Sequence, residues 1–229
     1  MKTQEMIEAL FPDTSVESIS EIVGIFNLYG SKYGLNKSIR VAHFLAQVRE
    51  EVGSEFKPIR ENLNYNPSSL LATYSAFSDS LANKYGRTDK HKANQEAIAN
   101  IAYANKLGNG NADSDGDGDM DKDDDGYKYR GAGCLQVTGK YNFQEVQARI
   151  NKYSPEANID VLNRNDANTL LGSILMGMAF WVWKDLYAIA DKGTTNEVVD
   201  KITSKVNRDT HSYRDRQSHF NIIKHLIKE

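Results

Sequence analysis

Apolar positions recur at helical spacing along most of this chain. In residues 37–52, KSIRVAHFLAQVREEV, Val41, Leu45, Val48 and Val52 follow one another at intervals of 4, 3 and 4, which makes one stripe down a helix, and Gly53 stops it. The same reasoning predicts helices over residues 3–10, 15–33, 68–84, 91–106, 140–150, 166–185, 195–206 and 212–227. The second is entered through Asp13-Thr14-Ser15, whose oxygens can accept from the unpaired N–H groups of a first turn, and is left at Gly30. Residues 54–67, with Pro58, Pro67 and an Asn-Leu-Asn-Tyr-Asn stretch, read as loop, and strand is confined to Leu135–Val137 and a few short runs. With no internal repeat and no Pro/Ser-rich linker, the pattern predicts a mainly α protein with little β, a single domain over residues 1–229.

Composition agrees and narrows the partners. The 229 residues are 40% hydrophobic and 26% charged, enough to bury a sizeable core. The net charge of −3 conceals an asymmetry: residues 113–125 hold eight Asp and one Lys, a local −7, so the remaining chain carries +4. That is far below a nucleic-acid signature, though it suits an anionic partner. Residues 201–229 contribute seven Lys or Arg against three acids, with His211, His219 and His225 at spacings of 8 and 6 that do not suit zinc. Cys134 is the only cysteine, which excludes an intrachain disulfide and a cysteine-cluster metal site. The first 15 residues, MKTQEMIEALFPDTS, lack the apolar core of a secretion signal, so synthesis in the cytoplasm is expected. The most apolar run, Leu170–Trp183, has 14 residues where a spanning helix needs about 20, so it is predicted as a core helix with Trp181 and Trp183 packed inside and no membrane insertion.

The acidic segment has an internal register. Counted from Asp113, the residues DSDGDGDMDKDD place Asp at positions 1, 3, 5, 7, 9 and 12, with Gly118 at 6 and Met120 at 8. Oxygen ligands at alternate positions let one turn of chain wrap a hard cation, and the glycine supplies the bend. Asp113, Asp115, Asp117, Asp119, Asp121 and Asp124 are therefore candidate Ca²⁺ ligands in a structural role, pinning the segment that leads into Tyr129-Arg130-Gly131. The alternative is a solvated, self-repelling acidic loop. Gly126-Tyr127-Lys128-Tyr129 is not expected to begin a helix, which argues against a paired EF-hand.

Two carboxyls fall in contrasting surroundings. Glu51 lies beside the apolar stripe in the last turn of its helix, where partial burial and the negative helix end both disfavour ionisation. Ten residues on, Glu61 sits in a polar loop between Arg60 and Asn62, where a carboxylate is expected to stay ionised. Glycoside hydrolysis uses such a pair, one carboxyl as acid to the leaving oxygen and one as base to water. A second cluster, YKYRGAGCLQVTGKYN at residues 127–142, has glycines that permit close backbone approach and Gln136, Thr138 and Asn142 as polar side chains. It is no phosphate loop, since five residues separate Gly133 from Gly139 and Tyr141 stands where Ser or Thr is needed.

His43-Phe44-Leu45-Ala46-Gln47 with Glu51 four residues on, then Arg60-Glu61-Asn62 and Leu63-Asn64-Tyr65, then YKYRGAGCLQVTGKYNF, resemble in order and spacing the successive motifs of glycoside hydrolase family 19. The likeness covers about residues 40–216, with Leu170–Trp183 similar to the family's core helix and Val206-Asn207 and Asp215-Arg216 similar to its last cleft segment. The family holds chitinases and the lysozyme-like endolysins of bacteriophages. The resemblance implies a lysozyme-like helical fold with a catalytic cleft, Glu51 as general acid, Glu61 as general base, and Thr138 helping to hold the attacking water. It further implies Tyr65, Gln136, Asn142 and Asn207 as sugar contacts and Arg216 as a support on the base side. No cofactor is implied for the chemistry. Three departures stand out: Glu50 occupies the position before the acid where the family usually has His, one extra residue lies between Glu51 and Phe56, and Ala132 replaces an Arg between two glycines.

The function so implied is that of an endolysin, a monomer made in the cytoplasm that cuts β-1,4 glycosidic bonds of peptidoglycan at the wall with inversion. A chitinase is the alternative within the same chemistry. A catalytically inactive, calcium-binding wall-interaction protein is the alternative outside it.

Overall fold

The computed structural model describes residues 2–57 and 60–227; Pro58 of the expected loop lies outside them. The predicted helices over 3–10 and 37–52 form as α1 (Thr3–Leu10) and α3 (Ser38–Val52), with α2 (Val16–Tyr29) between them. Ser15 caps α2 by accepting from the Ser18 amide, and the expected helical run to residue 33 ends as a 3₁₀ turn, Gly30–Tyr33. The run predicted over 68–84 is two helices, α4 (Pro67–Thr73) and α5 (Asp79–Tyr85). Each has its own side-chain cap, Asn66 on the Ser69 amide and Ser78 on the Leu81 amide, and the second cap starts a new helix after the first has ended at Thr73.

Beyond α6 (Gln95–Tyr103), the segment 125–128 departs from expectation: Asp125–Lys128 makes one helical turn, α7, although four residues are too short for the exit helix of an EF-hand. The remaining helices are α8 (Lys140–Tyr153), α9 (Leu170–Trp183), α10 (Leu186–Ala190), α11 (Asn196–Val206) and α12 (Tyr213–Ile223). Strand at Leu135–Val137 reduces to one antiparallel bridge, Ala132 with Val137.

The fold divides into two compact units. One takes in the chain before Arg60, Gly133–Gln136 and the chain from Glu145 onward; the other takes in Arg60–Ala132 and Val137–Gln144. In the first, α3 is buried on every side from Val41 to Val48, and α9 is buried from Gly172 to Trp181, as a helix apolar all round requires. Gly177 of α9 lies against the Cys134 sulfur, where a Cβ would overlap it. The thiol is fully buried, and loss of hydration pushes its pKa well above the usual range. The second unit closes on Leu63, Leu70, Phe77, Ala82, Ile98, Ala99 and Ala102, rimmed by half-buried tyrosines that include Tyr65, Tyr74 and Tyr103. Among the described residues no helix is long and apolar enough to cross a membrane.

His43 sits in the middle of the first unit. Its ring stacks on Phe220 of α12 with centroids 4.1 Å apart, Nε2–H donates to the Gly193 carbonyl at 2.9 Å, and Nδ1 is buried without a partner among the described residues. A second proton would place an unpaired charge there, and burial lowers the pKa to about 4. Because the folded pKa lies below that of the unfolded chain, the unfolded state binds the extra proton and stability falls as pH drops from about 6.5 towards 4, by about 3 kcal/mol in all. Denaturant titrations at pH 7, 5 and 4 check this: His43→Gln is expected to lose about one proton's worth of pH slope in that window, and an unchanged slope refutes it.

Candidate catalytic residues

Glu51 emerges from the last turn of α3 with its side chain 13% exposed. Its Oε1 accepts from Arg216 Nη2 at 2.6 Å. Arg216, on α12, is 2% exposed, and a buried guanidinium is tolerated only when its N–H groups are met. Each of its nitrogens has an acceptor: besides Nη2, Nη1 donates to Gln47 Oε1 at 2.9 Å and Nε to the Ser212 hydroxyl at 3.2 Å. Gln47, one turn before Glu51, donates in turn to Thr203 of α11 at 3.2 Å. The network runs through α3, α11 and α12 and fixes the direction of one carboxyl. Arg216, expected to support the base side, is paired with Glu51, the expected acid. The neighbouring Glu50 takes a different partner, His219 Nε2 at 3.1 Å, and burial lowers the pKa of that imidazole against the pull of Glu50.

Glu61 is held by neutral donors. The Tyr103 hydroxyl donates to Oε1 at 2.6 Å, the Tyr74 hydroxyl to the same oxygen at 3.5 Å, and the Gly131 amide to Oε2 at 3.2 Å. Its backbone is tied as well, since the Glu61 amide donates to the Gly131 carbonyl at 2.9 Å. Every partner donates, and an ionised carboxylate can only accept. Burial, and next the Glu61 charge, raise the pKa of Tyr103; burial does the same for Tyr74, so both stay protonated donors. Arg130 lies over the Tyr127 ring at 3.6 Å and donates to the Tyr127 carbonyl at 2.7 Å, which steadies the approach to Gly131.

The other predicted residues are distributed as follows. Tyr65, half-buried, meets Tyr74 edge to face at 5.6 Å. Thr138 follows the bridge residue Val137, and its carbonyl accepts from Asn142 Nδ2 at 2.8 Å, so that end of the Asn142 amide is already engaged. Gln136 adopts a left-handed backbone, φ +48°, at a turn closed on the Gly133 carbonyl. Asn207 caps the end of α11 and is exposed.

In the acidic loop the carboxylates form two overlapping groups, Asp113, Asp115 and Asp117, and Asp117, Asp119 and Asp121, each with oxygens within 4.8 Å of one another. Such crowding is repulsive: Asp117 raises the pKa of Asp119. Asp124, expected as the twelfth-position ligand, stands outside both groups. It is 1% exposed, and its oxygens accept from the Ser114 amide and hydroxyl, the Asp121 amide and Asn100 Nδ2. The fully buried Asn100 also accepts from the Tyr127 amide at 2.6 Å, so one side chain of α6 ties the loop to α7.

No family model matches the chain. Over 178 residues it is 33% identical to a Haemophilus influenzae protein described as a glycosyl hydrolase family 19 domain-containing protein, an alignment that takes in 77% of this chain and 74% of that protein. The chain belongs to glycoside hydrolase family 19.

In this family 19 protein, Tyr74 and Tyr103 are the partners of Glu61 that sequence reasoning missed. They lie 13 and 42 residues away, on the rim of an aromatic core, and nothing in their spacing marks them among 12 tyrosines. Arg216→Met would leave the mostly buried Glu51 carboxylate without its Arg216 partner, and breaking a buried pair from one side costs about 3–5 kcal/mol. Scanning calorimetry is expected to show Tm lower by at least about 6 °C, and the added change Glu51→Gln should recover part of the loss by removing the stranded charge. Equal Tm values for the single and double variants would show that the two side chains are not coupled.

Proposed function

We propose that this glycoside hydrolase acts as an endolysin, cleaving β-1,4 bonds of peptidoglycan with Glu51 as general acid and Glu61 as general base. The observation that carries the reading is the contrast in how the two carboxyls are held. Glu51 is fixed through Oε1 by Arg216, and its Oε2 has no protein partner among the described residues, so that oxygen is the one left for the substrate. Glu61 accepts three hydrogen bonds from uncharged donors, which fix its direction without a cation. A water that loses its proton to Glu61 attacks the anomeric carbon as Glu51 protonates the departing oxygen. One displacement at that carbon inverts its configuration. Thr138, by the family likeness, helps position the water, and Tyr65, Gln136, Asn142 and Asn207 contact sugars. Arg216 acts through Glu51 and is a positioning residue.

Peptidoglycan is favoured over chitin by charge. Outside the acidic loop the chain carries +4, and peptidoglycan bears carboxylates where chitin is neutral. Glu51→Gln and Glu61→Gln are each expected to slow the clearing of purified cell walls by about 10²–10⁴-fold. Walls cleared equally by wild type and both variants would overturn the assignment, and a wild type that cleaves only chitin oligomers would make the protein a chitinase.

The acidic loop is read as a structural Ca²⁺ site. Oxygens from Asp113 to Asp121 supply a hard-cation donor set, and neutralising them relieves the repulsion within the loop. Through Asp124, Asn100 and α7 the ordered loop would steady Gly131, the partner of Glu61. Titration calorimetry is expected to register Ca²⁺ binding to the wild type and its loss in Asp113→Asn/Asp117→Asn; equal heats remove the metal.

A further inference from the structure

Beside Glu61, in the second unit, Asn62, Asn64, Tyr65 and Arg87 line an open surface pocket of about 310 Å³. Asn62 Oδ1 accepts from the Asn64 backbone amide at 3.1 Å, which occupies the acceptor of that side chain and leaves its Nδ2 as a donor. Arg87 is exposed, and among the described residues its guanidinium has no carboxylate or carbonyl partner. It differs in this from Arg60 and Arg130, which are spent on carbonyls of the same unit.

The segment that carries Arg87 is nonetheless fixed. Gly86 packs where a Cβ would come within 2.7 Å of the Ala82 carbonyl and 2.9 Å of the Pro67 nitrogen, and the Arg87 amide donates to the Tyr65 carbonyl at 2.7 Å. Tyr65 in turn packs on Tyr74, which bonds Glu61. The pocket therefore stands within four residues of the base, at most about 14 Å of chain, a reach of a few sugar units. A rigid backbone, an unspent guanidinium and amide donors make a receptor for a planar anion.

We propose that Arg87, with Asn62 and Asn64, forms a subsite that takes a carboxylate carried by the muramyl residues of the substrate strand, and so distinguishes peptidoglycan from neutral chitin. The inference rests on the peptidoglycan reading. Two sources offer that chemistry, the lactyl group of the sugar and the stem peptide attached to it. In either case Arg87 makes a substrate contact that contributes to KM and takes no part in proton transfer.

The test compares wild type and Arg87→Gln, which keeps hydrogen-bonding capacity without the charge, on four substrates. These are peptidoglycan strands with intact stem peptides, strands stripped by an amidase so that the lactyl carboxylate is exposed, stripped strands with that carboxylate converted to a methyl amide, and chitin oligomers. Arg87→Gln is expected to lower kcat/KM about tenfold on carboxylate-bearing strands, mainly through KM, and to leave the amidated strands and chitin oligomers unchanged. The difference should shrink with added salt, since an exposed charge is screened. Loss on stripped strands identifies the lactyl carboxylate; loss confined to intact strands identifies the peptide. An equal fall on charged and neutral substrates, or no fall on any, overturns the subsite while the peptidoglycan reading stands. A wild type that leaves every muramyl strand uncut removes that reading, and the subsite with it.

Discussion

A buried guanidinium sets the terms for the first unit. Arg216 has almost no contact with water, so the chain must supply acceptors for its nitrogens. It does so with Glu51, Gln47 and Ser212, drawn from α3 and the start of α12. Holding a charge in this way stabilises little, because the loss of hydration offsets most of the attraction. What it provides is direction: the pairing can be made only when α3 and α12 are docked in one register, and in that register the Glu51 carboxyl has a single orientation.

The second unit meets a similar demand by different means. Glu61 lies on a segment without regular structure, where a side chain would ordinarily wander. Its backbone and carboxylate both bond to Gly131, and two tyrosine hydroxyls converge on the other oxygen. The tyrosines serve twice, with rings that complete a small aromatic core and hydroxyls that project from it. Packing of that core is thus a condition for the geometry of the carboxylate.

Much of this was legible from local pattern. The stripe in α3 and the stop at Gly53 place Glu51 in a final turn, and the uniform apolarity of Leu170–Trp183 marks a helix enclosed from Gly172 to Trp181, with Trp183, expected inside, only partly buried. Patterns fail where the deciding partner is distant or where two local signals compete. Ser78 begins a helix inside a run that periodicity reads as continuous, and only its hydrogen bond to the Leu81 amide reveals the break. Arg216 is separated from Glu51 by 165 residues, so its side of the chemistry could not be read from spacing. The acidic loop shows both cases. Its alternating carboxylates are visible in the sequence, whereas the turn of Asp124 inward to Ser114 and Asn100 depends on a buried asparagine of α6. For the candidate sugar contacts, composition points to the types of residue, while the backbone decides which groups are already engaged, as with the Asn142 amide.

The solitary thiol beneath Gly177 has a further consequence. Thiol chemistry proceeds through the thiolate, and Cys134 is both enclosed and held in its protonated form. Oxidants, glutathione and alkylating reagents therefore reach it only when α9 separates from the Gly133–Gln136 turn. The folded protein is indifferent to the redox poise of its surroundings, and the rate at which Cys134 becomes modified is a direct clock for the opening of its core.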